Sequence, residues 1–302
     1  MFGESAVTAT TRPMPVSRLL FSRQMLPRSV LRHIVLLLLA ACMLYPVIWM
    51  VFSSFGTSAE VLSNTGLLRS HWTASNYTTG WTLFPGLTFT QLFLNSLLIS
   101  VSVVVGSVTS CTMAAYAFAK LRFRLRGVLF GLTLITVMLP AQVLIIPQYI
   151  VFHKVGWINT FLPLIVPSFF AVNGFYIFLL VQFIRGVPQE LTEAAQVDGA
   201  GHFYVFRRII VPLAAPAMAT VGLFSFVATW NEFLGPLLYL TSPTKFTVPL
   251  GLDSFINSGT TGGASAIGPL FAMCTVSLAP VIGVFLAAQR FLSEGISTTG
   301  IK

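Results

Sequence analysis

The chain has 302 residues, of which 55% are hydrophobic and only 8% charged, with a mean hydropathy of +0.85. A soluble domain carries about 25% charge, so the composition excludes one and implies a polytopic membrane protein. The net charge of +9 is distributed between apolar runs rather than gathered in one patch, which points to membrane topology and away from nucleic acid.

Residues 1–29, rich in Arg, Ser, Thr and Pro, read as a disordered tail. Apolar runs follow at 31–54, 92–119, 128–152, 161–184, 211–240 and 267–291. Each is near or above the roughly 20 residues that cross about 30 Å of hydrocarbon as a helix, so six spans are expected. Cys42, Cys111 and Cys274 all fall inside apolar runs without metal-type spacing and read as small buried hydrophobes. Leu39-Ala40-Ala41-Cys42 has the look of a lipoprotein cleavage box, but the run continues uncharged to Phe55, which argues against processing there.

With the N-terminus placed in the cytoplasm, 14 of the 17 Lys and Arg residues fall on the cytoplasmic side, and only Arg69, Lys154 and Lys245 face outward. Both termini are therefore expected to be cytoplasmic. Segments 55–90 and 241–266 become external loops, the second carrying Pro243, Pro249 and the Gly262-Gly263 pair. Segment 185–210 becomes an internal loop. Gly106 and Ser110 form a small-xxx-small pair suited to close helix packing, within this chain or against another. Tyr116 and Trp157 are placed where interfacial aromatics are common.

The internal loop is the most informative segment. Pro188 suits the first position of a new helix, and Glu190 and Glu193 complement the helix dipole in its first turns. Ala194 and Ala195 are strong helix formers, and Gly199 or Gly201 can stop the helix with a positive φ. A second short amphipathic helix is expected over 202–210, with Pro212 at the entry to the fifth span. Spacing alone fits both a helix docked on a partner and a solvated connector.

The string Glu193-Ala194-Ala195, Gly199, Ile209, Val211, Pro212 resembles the Glu-Ala-Ala loop of the permease subunits of ABC importers. The wider run Val187–Ala200 is similar to the carbohydrate branch, with Val211 where Leu is usual. Trp230-Asn231-Glu232-Phe233 and the end Gly295–Lys302 resemble MalG-type subunits of maltose-like importers. The resemblance covers roughly residues 30–302. It implies an all-α fold of the type I importer permease kind in a bacterial-type inner membrane. It also implies a second, MalF-like permease subunit, a dimer of ATPase subunits, an extracytoplasmic solute-binding protein and surrounding lipid as partners. By the same resemblance Glu193, Ala194, Ala195, Asp198 and Gly199 form the coupling helix that seats in the ATPase, and ATP-driven closure rocks the spans between two packings. ATP and Mg would then bind the ATPase and no cofactor this chain, in keeping with a sequence that holds no G-x-x-x-x-G-K-[ST] run. No catalytic role is expected.

For the solute path, Glu232 is read as an acidic residue within a span, where a charge costs about 2.5–3.5 kcal/mol unless it is paired or faces water. Asn231 beside it, and Asn173 and Tyr176 in the fourth span, complete the candidate set. Gln142 and Gln148 are further polar groups of the third span. Each of these residue types is equally at home in a helix–helix hydrogen bond. The loop 241–266 is, by resemblance, one that projects toward the binding protein. An importer for another small solute, such as glycerol phosphate or a polyol, fits the same features. A membrane-embedded enzyme lacks a His partner for its carboxylates, and an ion-coupled transporter would be expected to show internal repeats that are not evident.

Overall fold

The structure is a computed structural model that describes residues 25–63, 65–82, 87–257 and 266–297, all of them helix, turn or coil apart from one isolated bridge between Gly56 and Trp72. Most of the N-terminal tail, the Gly262-Gly263 pair and the last five residues lie outside that set. The chain divides into two compact units, one ending at Met50 and one beginning at Val51. The first holds most of helix α1 (Met25–Ser53), an apolar helix with exposed side chains such as Leu37 and Met43.

The second unit opens with two short helices, α2 (Ser58–Ser63) and α3 (Ser75–Trp81). Asn76 fixes this segment by donating from Nδ2 to the carbonyls of Ser54 and Gly56, each at 2.8 Å. The Arg69 guanidinium donates to Ser53 Oγ at 2.5 Å. The long helix α4 (Phe89–Lys120) follows, then α5 (Arg126–Met138) and α6 (Ala141–Lys154). Next come α7 (Leu162–Ile165), a 3-10 turn over Val166–Phe170, and α8 (Gly174–Arg185). The segment after α8 forms α9 (Gln189–Val197) and α10 (His202–Val205), which runs through a π-helical turn (Phe206–Ile210) into α11 (Val211–Leu213). The last elements are α12 (Ala215–Trp230), α13 (Leu234–Tyr239), a 3-10 turn over Pro243–Lys245, α14 (Val248–Asn257) and α15 (Ile267–Ser297).

Helix α4 is the centre of this unit. It packs against α8 on one side and α12 on another, and α12 packs in turn against α15. Two apolar cores form along it. One gathers Ala115, Leu180, Ile184, Val205, Ile210 and Val221 near the end of α4. The other gathers Phe89, Leu92, Phe226, Trp230, Val248 and Met273 near its start. The Gly106–Ser110 pair is used within the chain. A Cβ on Gly106 would lie 2.8 Å from the Phe169 ring and closer still to Ser168 Oγ, while Ser110 donates to the Ser168 carbonyl at 2.8 Å.

Four described helices are long and apolar enough to cross a membrane, and six spans result if each of two bent pairs counts as one. Both bends depart from the expectation of plain spans. The run expected at 128–152 is bent by 104° between α5 and α6. Pro140 lies at that break, has no N–H to donate and drives Leu139 into extended backbone, so the helix cannot run through. The run expected at 211–240 is bent by 75° around Ala214 and its helix stops at Trp230. Pro236 cannot donate to the residue 232 carbonyl, and the next helix starts only at Leu234.

The segment after α13 is more ordered than its Pro and Gly content suggests. Asn95 Nδ2 donates to the carbonyls of Thr244 (2.9 Å) and Phe246 (3.0 Å), and the Val248 N–H donates to Ser96 Oγ at 2.8 Å. These bonds hold residues 243–248 against the start of α4. Tyr116, expected at the interface, is buried and donates to the His202 carbonyl at 3.2 Å.

Candidate functional site

Segment 185–210 folds as a capped helix presented by α4. Pro188 is the N-cap rather than the first helical residue, so α9 starts one position later than the sequence suggested. Its other end is a Schellman motif. Gly199 adopts φ +84°, its N–H donates to the Gln196 carbonyl at 3.0 Å, and the Ala200 N–H reaches back to the Ala195 carbonyl at 2.9 Å. Gly201 has an ordinary negative φ and opens α10. The two alanines therefore divide their work. Ala195 and Ala200 pack on the first core, whereas Ala194 faces outward.

Glu193 is exposed and accepts from Gln189 Nε2 at 2.8 Å, and Asp198 is exposed as the C-cap. Around them lies an apolar surface: Val197 is 88% exposed, Phe203 72% and Tyr204 57%. Both flanks of α9 are tied to α4, by the Lys120 ammonium on the Val187 carbonyl (2.6 Å) and by Tyr116 on His202. Between α9 and the 120–126 elbow opens a polar cavity of about 710 Å³, with Lys120, Arg122 and Arg126 on one wall and Glu193 and Gln196 on the other. Arg126 also donates to the Ala119 and Leu121 carbonyls, both at 3.3 Å, closing the end of α4.

A second cavity, of about 260 Å³, lies among α4, α8, α12 and the turn after it. Asn173, Tyr176 and Glu232 line it together. Asn231 is not among its lining residues; its Nδ2 turns back to the Val227 carbonyl at 2.9 Å. Gln142 and Gln148 are exposed on α6 and also lie outside it.

Asn173 is the N-cap of α8, its Oδ1 accepting from the N–H groups of Phe175 (3.1 Å) and Tyr176 (3.2 Å). This arrangement leaves its amide N–H groups for the cavity. Glu232 lies outside a helix, between α12 and α13. It follows the end of α12, is exposed, and accepts from the Gly235 N–H at 3.0 Å through Oε1, which supports the start of α13. A carboxylate at a helix start is favourably placed.

The hydroxyl groups of this cavity were missed from sequence. Ser107, Ser225, Thr229 and Thr247 line it, and Ser96 lines it while accepting from Val248. Ser96, Ser100, Ser107 and Ser110 are all buried on α4, at spacings that repeat one helical face. That periodicity is the signal that would have found them. The Oγ of Ser100 and Oγ1 of Thr247 are buried without a hydrogen-bond partner among the described residues. Each such group costs about 1–3 kcal/mol unless something fills it.

Comparison with known proteins identifies the family. A family model described as the binding-protein-dependent transport system inner membrane component matches residues 106–298. The putative ABC transporter permease protein ORF2 of Caldicellulosiruptor sp. (strain Rt8B.4) is 34% identical over 258 residues, covering 85% of this chain and 91% of that one. The diacetylchitobiose uptake system permease protein NgcG of Streptomyces coelicolor is 30% identical over 269 residues, covering 89% and 87%. Among solved structures, a bacterial ABC transporter involved in import of the acidic polysaccharide alginate has a chain that superposes with a TM-score of 0.78 at 25% identity, over 90% of this chain and 99% of that one. With the family match running over more than half of its length, this chain belongs to the inner membrane components of binding-protein-dependent transport systems, the non-catalytic permease subunits of ABC importers.

Proposed function

We propose that this chain is one of two permease subunits of an ATP-driven carbohydrate importer in a bacterial-type inner membrane. In this reading residues 30–302 form the permease domain with six spans, the bent pairs counting as one each, and both termini are cytoplasmic. Helix α9 seats in a cleft of a separate ATPase dimer, which holds ATP and Mg. An extracytoplasmic binding protein delivers solute from the opposite side.

The observation that carries the coupling role is the surface of α9 and α10. Val197, Phe203 and Tyr204 are exposed apolar groups on a segment too polar to cross a bilayer, and Glu193 and Asp198 lie among them. Apolar anchors rimmed by charge fit a protein partner. The ties from Lys120 and Tyr116 give the segment a firm hold on α4, so that a push on α9 moves a transmembrane helix rather than a slack loop. Gly199 and Ala195 shape the helix end, Ala194 leaves room for close approach, and Glu193 and Asp198 meet basic groups on the partner. A carbohydrate solute is supported by the Glu-Ala-Ala run and by the relative whose name states diacetylchitobiose uptake. Asn173, Tyr176 and Glu232 are proposed to face the solute path, with Asn231 holding the turn beside it.

The test is the reconstituted transporter carrying Val197→Glu or Glu193→Lys. Either change is expected to lower binding-protein-stimulated ATP hydrolysis and uptake together by at least tenfold, a loss of about 1.4 kcal/mol or more at the docking contact. Stimulated hydrolysis and uptake that both stay near the parent level in both variants refute the coupling role.

A further inference from the structure

Ser107, Asn173, Tyr176, Thr229, Glu232 and Thr247 line the cavity between α4, α8, α12 and α13. Thr247 is 4% exposed, and its Oγ1 is buried with no hydrogen-bond partner among the described residues. Buried polar groups are normally satisfied, and an unspent hydroxyl on the wall of a cavity lined by further hydroxyls calls for a polar occupant.

The charge of the wall is equally specific. Glu232 is the only ionisable carboxylate among the lining residues, and no Lys, Arg or His lines the cavity. Sites built for phosphate or carboxylate use cationic forks or several backbone N–H groups aimed at the anion. Here the groups are hydroxyls, which both donate and accept, an amide donor and a carboxylate acceptor. That set matches the alternating donors and acceptors of a neutral sugar ring. The volume of about 260 Å³ falls just below the range of about 300–1,000 Å³ for ligand pockets, a size for one ring rather than a whole oligosaccharide.

We infer that this cavity is a subsite for one uncharged, polyhydroxylated ring of the transported solute, and that it selects against anionic solutes. The inference rests on the importer reading proposed above and narrows it. A solute carboxylate or phosphate about 6 Å from Glu232, at an effective dielectric near 20, is disfavoured about a hundredfold. By this argument the chain handles a different class of solute from the acidic polysaccharide of the similar solved transporter, whatever the likeness of the folds.

The experiment uses the full transporter in proteoliposomes, with Cys42, Cys111 and Cys274 replaced by alanine and a single reporter, Thr229→Cys. Labelling by a hydrophilic maleimide is followed with millimolar cellobiose or N,N′-diacetylchitobiose as neutral probes, and with glycerol 3-phosphate or a uronic acid disaccharide as anionic ones. Each probe is added with and without binding protein. A reporter at Leu68→Cys, 77% exposed and away from the cavity, controls for general effects. The expected result is at least tenfold slower labelling at Thr229→Cys with a neutral probe and little change with an anionic one. Adding Glu232→Gln, which keeps the Oε1 acceptor for Gly235, is expected to narrow that difference at least tenfold. Equal or better protection by an anionic probe overturns the charge selection. Absence of protection by a saccharide that does stimulate ATP hydrolysis overturns the subsite and leaves the importer reading intact. Failure of every saccharide to stimulate hydrolysis overturns the carbohydrate reading on which the subsite rests.

Discussion

Replacing Gly106 by alanine tests the closest approach inside the membrane-spanning part of the molecule. The new methyl would meet the Phe169 ring at 2.8 and 2.9 Å and Ser168 Oγ at a shorter distance still, so the 166–170 turn must move. Ser168 is tied to that position by its own carbonyl, which accepts from Ser110, and by its Oγ, which donates to the Ile165 carbonyl at 2.6 Å. Overpacking of this kind costs about 1–3 kcal/mol, set against roughly 0.8–1.0 kcal/mol gained by putting alanine for glycine inside a helix. Gly131 in α5 supplies the comparison, since a Cβ there meets nothing within 4 Å. Gly131→Ala should therefore gain the helix term alone, and the two variants should differ by about 1–3 kcal/mol. Thermal unfolding of the assembled transporter in detergent measures this, with Gly106→Ala melting below the parent and Gly131→Ala at or above it. Phe169→Leu should recover part of the loss as a non-additive pair. Gly106→Ala that melts with Gly131→Ala would show that the 166–170 turn gives way freely, and the account of this contact would be wrong.

Gly199→Ala places a Cβ at φ +84°, which costs about 1–2 kcal/mol and should lower stimulated ATP hydrolysis, while Gly199→Asn, better suited to that backbone, should retain more activity. Tyr116→Phe deletes the donor to the His202 carbonyl and is expected to cost about 0.5–1.5 kcal/mol, read as faster amide exchange over residues 199–205 with unchanged exchange around Asn76. The N–H of Ser70 donates to the Glu60 carboxylate and holds its pKa below the ordinary value of 4.5. A depressed carboxyl stabilises its contacts above the unfolded pKa and releases them as pH falls through the folded one. The protection factor of the Ser70 amide, its exchange relative to the intrinsic rate at each pH, should fall as the medium is acidified below about pH 4.5, and Glu60→Gln should remove that dependence.

Much of this molecule could be read from its residues because the bilayer forces the pattern. The apolar runs had to be helices, and the loop at 189–199 announced itself by chemistry, with a proline before it, acidic residues in it and Gly199 after it. What escaped the reading followed from tertiary geometry. Nothing local says that Glu232 lies past a helix end instead of within one, because the apolar run continues through Phe233 and Leu234. Asn173 reads as a polar group in a span, and only the left-handed backbone of Ala171 and the 3-10 turn before it turn it into an N-cap. The serines of α4 look like tolerated small residues until α8, α12 and Thr247 are brought around them. The Schellman motif shows why the alanine pair and the glycine occur together: Ala195 supplies the carbonyl and the contact, and Gly199 the backbone turn.

Helix α4 runs 32 residues without a proline, whereas 3-10 or π turns, bends or left-handed residues interrupt the paths through 126–154, 162–185 and 202–230. At 1.5 Å per residue it is about 48 Å long. It holds the loop of α9 through Tyr116 and Lys120, and the cavity through Ser96 and Ser107. In the coupling role proposed above, α4 acts as a rod that grips both places at once, so a displacement applied at one is passed to the other while the interrupted neighbours absorb the change in angle.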